Sequence, residues 1–97
     1  PEALVCANDY KAAVLMRTLE TLGVHVPADV RIVGFDYVKY ATLLRVPLTT
    51  MHQPCHAMAS LAWRILQNRI ADPDLPPCAV SLSAQLVIRQ SCGAYLR

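Results

Sequence analysis

Two short apolar runs, ALVCA at residues 3–7 and VRIVGF at residues 30–35, show no alternation of polar and apolar positions. Runs of that length without alternation are the mark of strands covered on both faces. The first run ends at Asn8 and Asp9, both of them residue types that cap helices. Ala12, Leu15, Met16, Leu19 and Leu22 then recur at helical spacing, and Gly23 stands where a left-handed residue would close the helix. Pro27 breaks the loop before the second run begins. The order strand, helix, strand predicts a parallel sheet and an α/β fold.

Beyond Asp36 the segment 37–47 is irregular, with room for one helical turn, and LTTMH at 48–52 has strand character. Pro54 closes that strand and suits the first turn of a following helix. Met58, Leu61, Ala62, Ile65 and Leu66 mark the expected buried stripe of this helix, which should run to about Ile70. ADPDLPPC is a proline-rich surface loop. The closing stretch AVSLSAQLVIRQS reads as extended, as one long strand with an irregularity near Ser83 and Ala84.

Composition changes this picture in one respect. The chain is 55% hydrophobic and 16% charged, against a usual charged share of about 25% in soluble domains. Part of its apolar surface is therefore expected to meet other protein, as in a fragment or a tight oligomer. The chain opens abruptly on PEALVCAND without a signal peptide, and an upstream region is expected. A fragment of this kind should be unstable alone, or self-associate through exposed sheet edges.

Nine Lys and Arg against seven Asp and Glu give a net charge of +2. The basic residues are scattered, which argues against nucleic-acid binding by this segment, because phosphate neutralisation needs a clustered basic face. Charged and polar residues interrupt every stretch that could approach the roughly 20 apolar residues of a bilayer span. Cys6, Cys55, Cys78 and Cys92 are far apart and lie in or beside apolar runs, so they are expected to be buried free thiols in a reducing cytoplasm.

Candidate chemistry gathers at the ends of the two predicted strands. In open α/β sheets the ligand crevice lies at the carboxyl ends of the parallel strands. If the two strands are neighbours, Asn8, Asp9 and Asp36 share one rim, where amides and carboxylates can bind ligand hydroxyls. Helix capping is the stronger reading for Asp9, Asn8 is open between cap and ligand contact, and Asp36 favours a ligand. His52 and His56 are separated by Pro54, and only Cys55 stands at a fitting distance as a further ligand, so no metal is expected. No nucleophile elbow or acid/base pair is visible, and the chain is not expected to be an enzyme or to need a cofactor.

The motifs ALVCAND, VPADVRIVGFD, PLTTMHQP and LVIRQS, in this order and spacing, resemble the rear part of the effector-binding domain of LacI/GalR-type transcriptional repressors. The resemblance runs along essentially the whole chain. It implies a Rossmann-like lobe of a periplasmic-binding-protein-like (type I) fold, present as a partial domain. Residues 1–53 and about 85–97 would belong to the C-terminal lobe and about 54–84 to the N-terminal lobe. A small sugar-like effector would sit between the lobes, and Asn8, Asp36 and Gln53 match ligand-binding positions. Ala13, Arg17, Leu43, Leu44 and Arg45 match a homodimer interface. DNA would be bound through a helix-turn-helix domain that this chain lacks, in the cytoplasm and without a membrane. Tyr37 departs from the Asp or Asn of many relatives, and Val46 from the first of two prolines before LTT. The alternative is a periplasmic solute-binding protein serving a transporter.

Overall fold

Asn8, not Asp9, caps the first helix. In the structure, a computed structural model that describes residues 1–96, Asn8 Oδ1 accepts the Lys11 N–H at 2.8 Å from an extended backbone. That satisfies one of the donors a helix start leaves without an internal partner. Helix α1 covers Asp9–Thr21 and buries Ala12 and Met16. Its end is a Schellman closure: Gly23 at φ 74° donates to Glu20 O at 3.0 Å, and Val24 N–H to Leu19 O at 2.9 Å. A residue with a Cβ is strained at that angle, which is why the glycine stops the helix.

Strand β1 (Ala3–Val5) pairs in parallel with β2 (Arg31–Val33), with Leu4 opposite Ile32. Isolated parallel bridges, Val33 to Thr49 and Asp36 to His52, join β2 to β3 (Thr50–His52). Strand β4 (Gln85–Val87) then runs antiparallel to β3. The long closing strand expected from the sequence is therefore only three residues, and residues 79–84 hold no strand. Between β2 and β3 the chain makes the short 3-10 turn Lys39–Thr42, which buries Ala41.

Ile32, Leu48, Ala12, Met16 and Ala41 form the core, on which Leu4, Leu15, Leu19 and Leu44 pack. Ile32 alone, fully buried, contributes about 1.5–3 kcal/mol by removal from water. Ser91, also fully buried, links the middle of the sheet. Its hydroxyl donates to Ile32 O at 2.6 Å and accepts the Thr49 N–H at 2.8 Å, while Ile32 N–H donates to Ser91 O at 2.8 Å. β1 is not covered on both faces as its run of apolar residues led one to expect, since Val5 is 85% exposed.

The chain divides into two compact units, one of Pro1–His52 with the stretch from Gln85 onward, the other Gln53–Ala84. The second unit is built on α2 (Cys55–Ala71), whose N-cap Pro54 gives no side-chain hydrogen bond. Its expected buried stripe is not buried: Met58 and Leu66 are exposed, Leu61 and Ile65 half-exposed. One helix followed by a proline-rich segment cannot enclose an apolar face. Arg69 ties the two together by donating to the carbonyls of Leu75 and Pro76.

Ser91→Ala should lower the unfolding free energy of the intact protein by about 1–3 kcal/mol, because it leaves the Thr49 N–H buried without its acceptor. Thermal and urea unfolding of the two proteins measure this.

Candidate functional site

The rim at the carboxyl ends of the parallel strands is built from three neighbouring segments. Cys6 N–H to Val33 O at 2.8 Å and Asp9 N–H to Phe35 O at 2.9 Å keep the first two side by side beyond β1 and β2. Asp36 N–H to Met51 O at 3.2 Å joins the third. Asn8, Asp36 and His52 consequently stand at one end of the sheet. Asn8 is the helix cap, and the cap occupies Oδ1, so its amide N–H groups are what it has to offer a ligand. Gln53 follows His52 directly and begins the second unit.

Asp36 and Tyr37 adopt φ values of 128° and 68°. Two consecutive non-glycine residues in this region cost on the order of 1–3 kcal/mol each and persist only where the surroundings hold them. Here Tyr37 N–H donates to Thr50 Oγ1 at 3.3 Å and Val38 N–H to Asp9 Oδ2 at 3.0 Å. Thr50 Oγ1 in turn donates to Asp9 Oδ1 at 2.6 Å. The turn throws the Tyr37 ring onto His52, with ring centres 4.1 Å apart and planes 30° from parallel. Arg89 Cζ lies 5.3 Å from the same ring centre, and its Nη1 is fixed by donation to Leu48 O at 2.8 Å.

Asp9 is the residue that sequence reasoning misjudged. It is fully buried in the first turn of α1, and its carboxylate links that helix to β3 and to the turn after β2. A Cβ at Gly34 would stand 2.2 Å from Asp9 Oδ1, so the glycine of the VGFD motif is there to admit this carboxylate. The sequence held one signal, a glycine inside an otherwise β-branched run, which marks a close approach. The Tyr37, His52 and Arg89 cluster had none, since its members come from three separate motifs.

A concavity of about 590 Å³ lies elsewhere on the same unit, between the outer face of α1 and residues 44–46. Ala13, Arg17, Leu44 and Arg45 line it, and Leu43 beside it is 83% exposed. Arg45 pairs with Glu20 across it. At one end His25 donates its N–H to Asp29 Oδ2 at 2.8 Å, and this bond, with the ring contact, holds the Asp29 carboxyl below its ordinary range. Its wall mixes apolar side chains with the charged Arg17, Glu20 and Arg45, and none of its lining residues belongs to the rim.

The four cysteines are free, as expected, but not buried: Cys55 and Cys78 are exposed, Cys6 and Cys92 half-exposed. Two of them lie in or next to the second unit's open segments, where nothing encloses them. Partial removal from water pushes the Cys6 thiol above its ordinary range. Among the described residues no three His, Cys, Asp or Glu side chains converge on a point that could hold a metal.

The periplasmic binding protein-like domain family matches residues 1–92. The chain belongs to that family. A repressor named PurR from Photobacterium profundum is 37% identical over 94% of the chain, and the PurR of Vibrio vulnificus 35%. The chain spans 27% of the length of each. Among solved structures, a LacI-family regulator from Sanguibacter keddieii superposes with a TM-score of 0.87 at 35% identity, covering 95% of this chain and 36% of that one. A complex of the regulator CelR with cellobiose gives 0.86 at 31%, over 93% and 28%. A LacI-family regulator from Lactobacillus casei with bound glucose gives 0.77 at 32%, over 94% and 32%. The α/β architecture with its parallel strands is thus part of a LacI-type effector domain. Its relatives are transcriptional regulators, and no helix among the described residues is long and apolar enough to cross a membrane.

Gly34→Ala and Asp9→Ala should each destabilise the intact protein by about 1–3 kcal/mol, the first through overpacking and the second through orphaned donors. The double variant should lose clearly less than the sum of the two, since removing the carboxylate removes the clash. A double-mutant cycle on unfolding free energies checks this, and strict additivity would disprove the contact.

Proposed function

We propose that this chain forms part of the effector-sensing and dimerising region of a cytoplasmic, DNA-binding transcriptional regulator, and that it carries no catalytic activity. The observation that supports this most is the rim itself. A capping amide at Asn8 and a carboxylate at Asp36, delivered by adjacent parallel segments, suit the hydroxyls of a small sugar-like effector. The sugars bound to the similar regulators, cellobiose and glucose, favour the same class. Gln53 joins them on the strength of the motif resemblance. The relatives are repressors, which favours this reading over a solute-binding protein of a transport system.

The effector acts by binding one arrangement of the intact regulator more tightly than another, and it shifts the equilibrium by no more than that difference. DNA is contacted by a helix-turn-helix domain outside this chain. The groove and its flank, Ala13, Arg17, Leu43, Leu44 and Arg45, serve the homodimer. That role accounts for a leucine standing 83% exposed.

Calorimetric titration of the intact protein with glucose, cellobiose and sucrose should detect binding, and Asp36→Ala should weaken it at least tenfold or so, the scale of a hydrogen bond to a charged group. Wild-type affinity in that variant would remove Asp36 from the site. Leu43→Asp, which places a charge on an exposed position, should shift the protein from dimer to monomer in light scattering, and its unfolding temperature should fall and lose its dependence on protein concentration as the partner's stabilisation is lost.

A further inference from the structure

Thr50 is fully buried in β3 and cannot touch an effector, yet its hydroxyl serves the turn that carries Asp36. The direction of the Asp36 side chain is set by the two peptide groups on either side of its Cα. The one before it donates from Asp36 N–H to Met51 O at 3.2 Å, and the one after it from Tyr37 N–H to Thr50 Oγ1 at 3.3 Å. Strand β3 therefore holds both, the first through its backbone and the second through one side chain. A threonine hydroxyl has a single proton. Thr50 gives it to Asp9 Oδ1 at 2.6 Å, which leaves the oxygen's lone pairs to receive Tyr37 N–H. Asp36 and Tyr37 hold φ values of 128° and 68°, angles that non-glycine residues keep only where their neighbours hold them.

We propose that Thr50 is a positioning residue for effector binding: its hydroxyl keeps the Asp36–Tyr37 peptide in the orientation that presents the Asp36 carboxylate to the hydroxyls of a sugar-like ligand. The proposal rests on the effector reading of Asp36 and adds to it the residue that governs the carboxylate's aim. Binding groups act well only when their own geometry is locked by the hydrogen bonds behind them. Without the Thr50 hydroxyl the strained pair relaxes toward ordinary backbone angles in part of the molecules, and only those that keep the turn bind well. Apparent affinity falls in proportion to that fraction. Asp36 N–H still donates to Met51 O and Val38 N–H to Asp9 Oδ2, so the turn loses one of three holds while β3 stays paired with β4.

The test is calorimetric titration of the intact protein with glucose and cellobiose, comparing wild type, Thr50→Val, Thr50→Ser, Asp36→Ala and the double variant of Asp36→Ala with Thr50→Val. Valine keeps the shape of threonine and lacks the hydroxyl. Thr50→Val should weaken binding roughly 3- to 10-fold, the scale of one hydrogen bond between neutral groups. Thr50→Ser, which retains the hydroxyl, should bind nearly as wild type does. In the Asp36→Ala background Thr50→Val should cause no further loss, because the group it aims is gone. Should the valine variant fail to fold, Thr50→Cys, whose thiol is only a weak donor and acceptor, takes its place with the same expected direction. A hydroxyl that merely stabilised the fold would lower the unfolding temperature and leave the affinity of the folded protein unchanged. That result, with Asp36→Ala still weakened, overturns the positioning role and leaves the effector reading standing. An undiminished further loss in the Asp36→Ala background overturns it too, as does a serine variant as weak as the valine one. Wild-type affinity in Asp36→Ala, or a wild-type protein that binds neither sugar, overturns the effector reading and the positioning role with it.

Discussion

The rim depends on one buried carboxylate. Asp9 lies at the positive end of α1, where a negative charge is stabilised by the helix dipole, and it accepts a hydroxyl from β3 and an N–H from the turn after β2. Each acceptance fixes a different segment. The Thr50 bond orients the hydroxyl that receives Tyr37 N–H, and the Val38 bond holds the chain as it leaves the two strained residues. Gly34 contributes by having no side chain. A buried carboxylate that lost these donors would be among the costlier defects a core can hold. The network therefore favours a single arrangement of the turn that carries Asp36.

Much of the fold could be read from the pattern of apolar positions. The helix between two parallel strands, the stop at Gly23, the helical turn after Asp36 and the helix after Pro54 all follow from local rules that act within a few residues. What failed were statements about cover. The stripe Met58, Leu61, Ile65 and Leu66 and the run at β1 are apolar because something packs on them, but periodicity does not say whether that partner belongs to the same chain. The closing strand was overextended for a related reason. Residues 79–84 have strand-like composition, but a strand exists only where a neighbour supplies hydrogen bonds, and β3 supplies them for Gln85–Val87 alone.

The rim was legible to the same degree. Placing Asn8 and Asp36 at one end of the sheet needed only parallel pairing of neighbours, which the strand, helix, strand order implies. Distinguishing Asn8 from Asp9 as the cap was beyond it, because both side chains can cap and the choice was made by distant residues. Thr50 and Val38 lie 41 and 29 positions away from Asp9, and they draw its carboxylate inward. The Tyr37 ring likewise meets His52 and Arg89 only because the sheet brings their motifs together.

Rim and groove are built from the same pieces of chain. Asn8 and Asp9 open the helix whose outer face carries Ala13 and Arg17, and Asp36 and Tyr37 open the segment that leads to Leu43, Leu44 and Arg45. The 3-10 turn between them is anchored by buried Ala41, whose N–H and carbonyl bond to Val38 and Leu48. A displacement of Asp36 can pass through Val38 into Asp9 and α1, along this short turn, or through Met51 and His52 into β3, and the first two routes end at the groove. Close-packed elements shift as units rather than bend. With an effector at the rim and a second subunit at the groove, the two binding events would be coupled reciprocally: whatever one ligand does to the other's affinity, the other does in return.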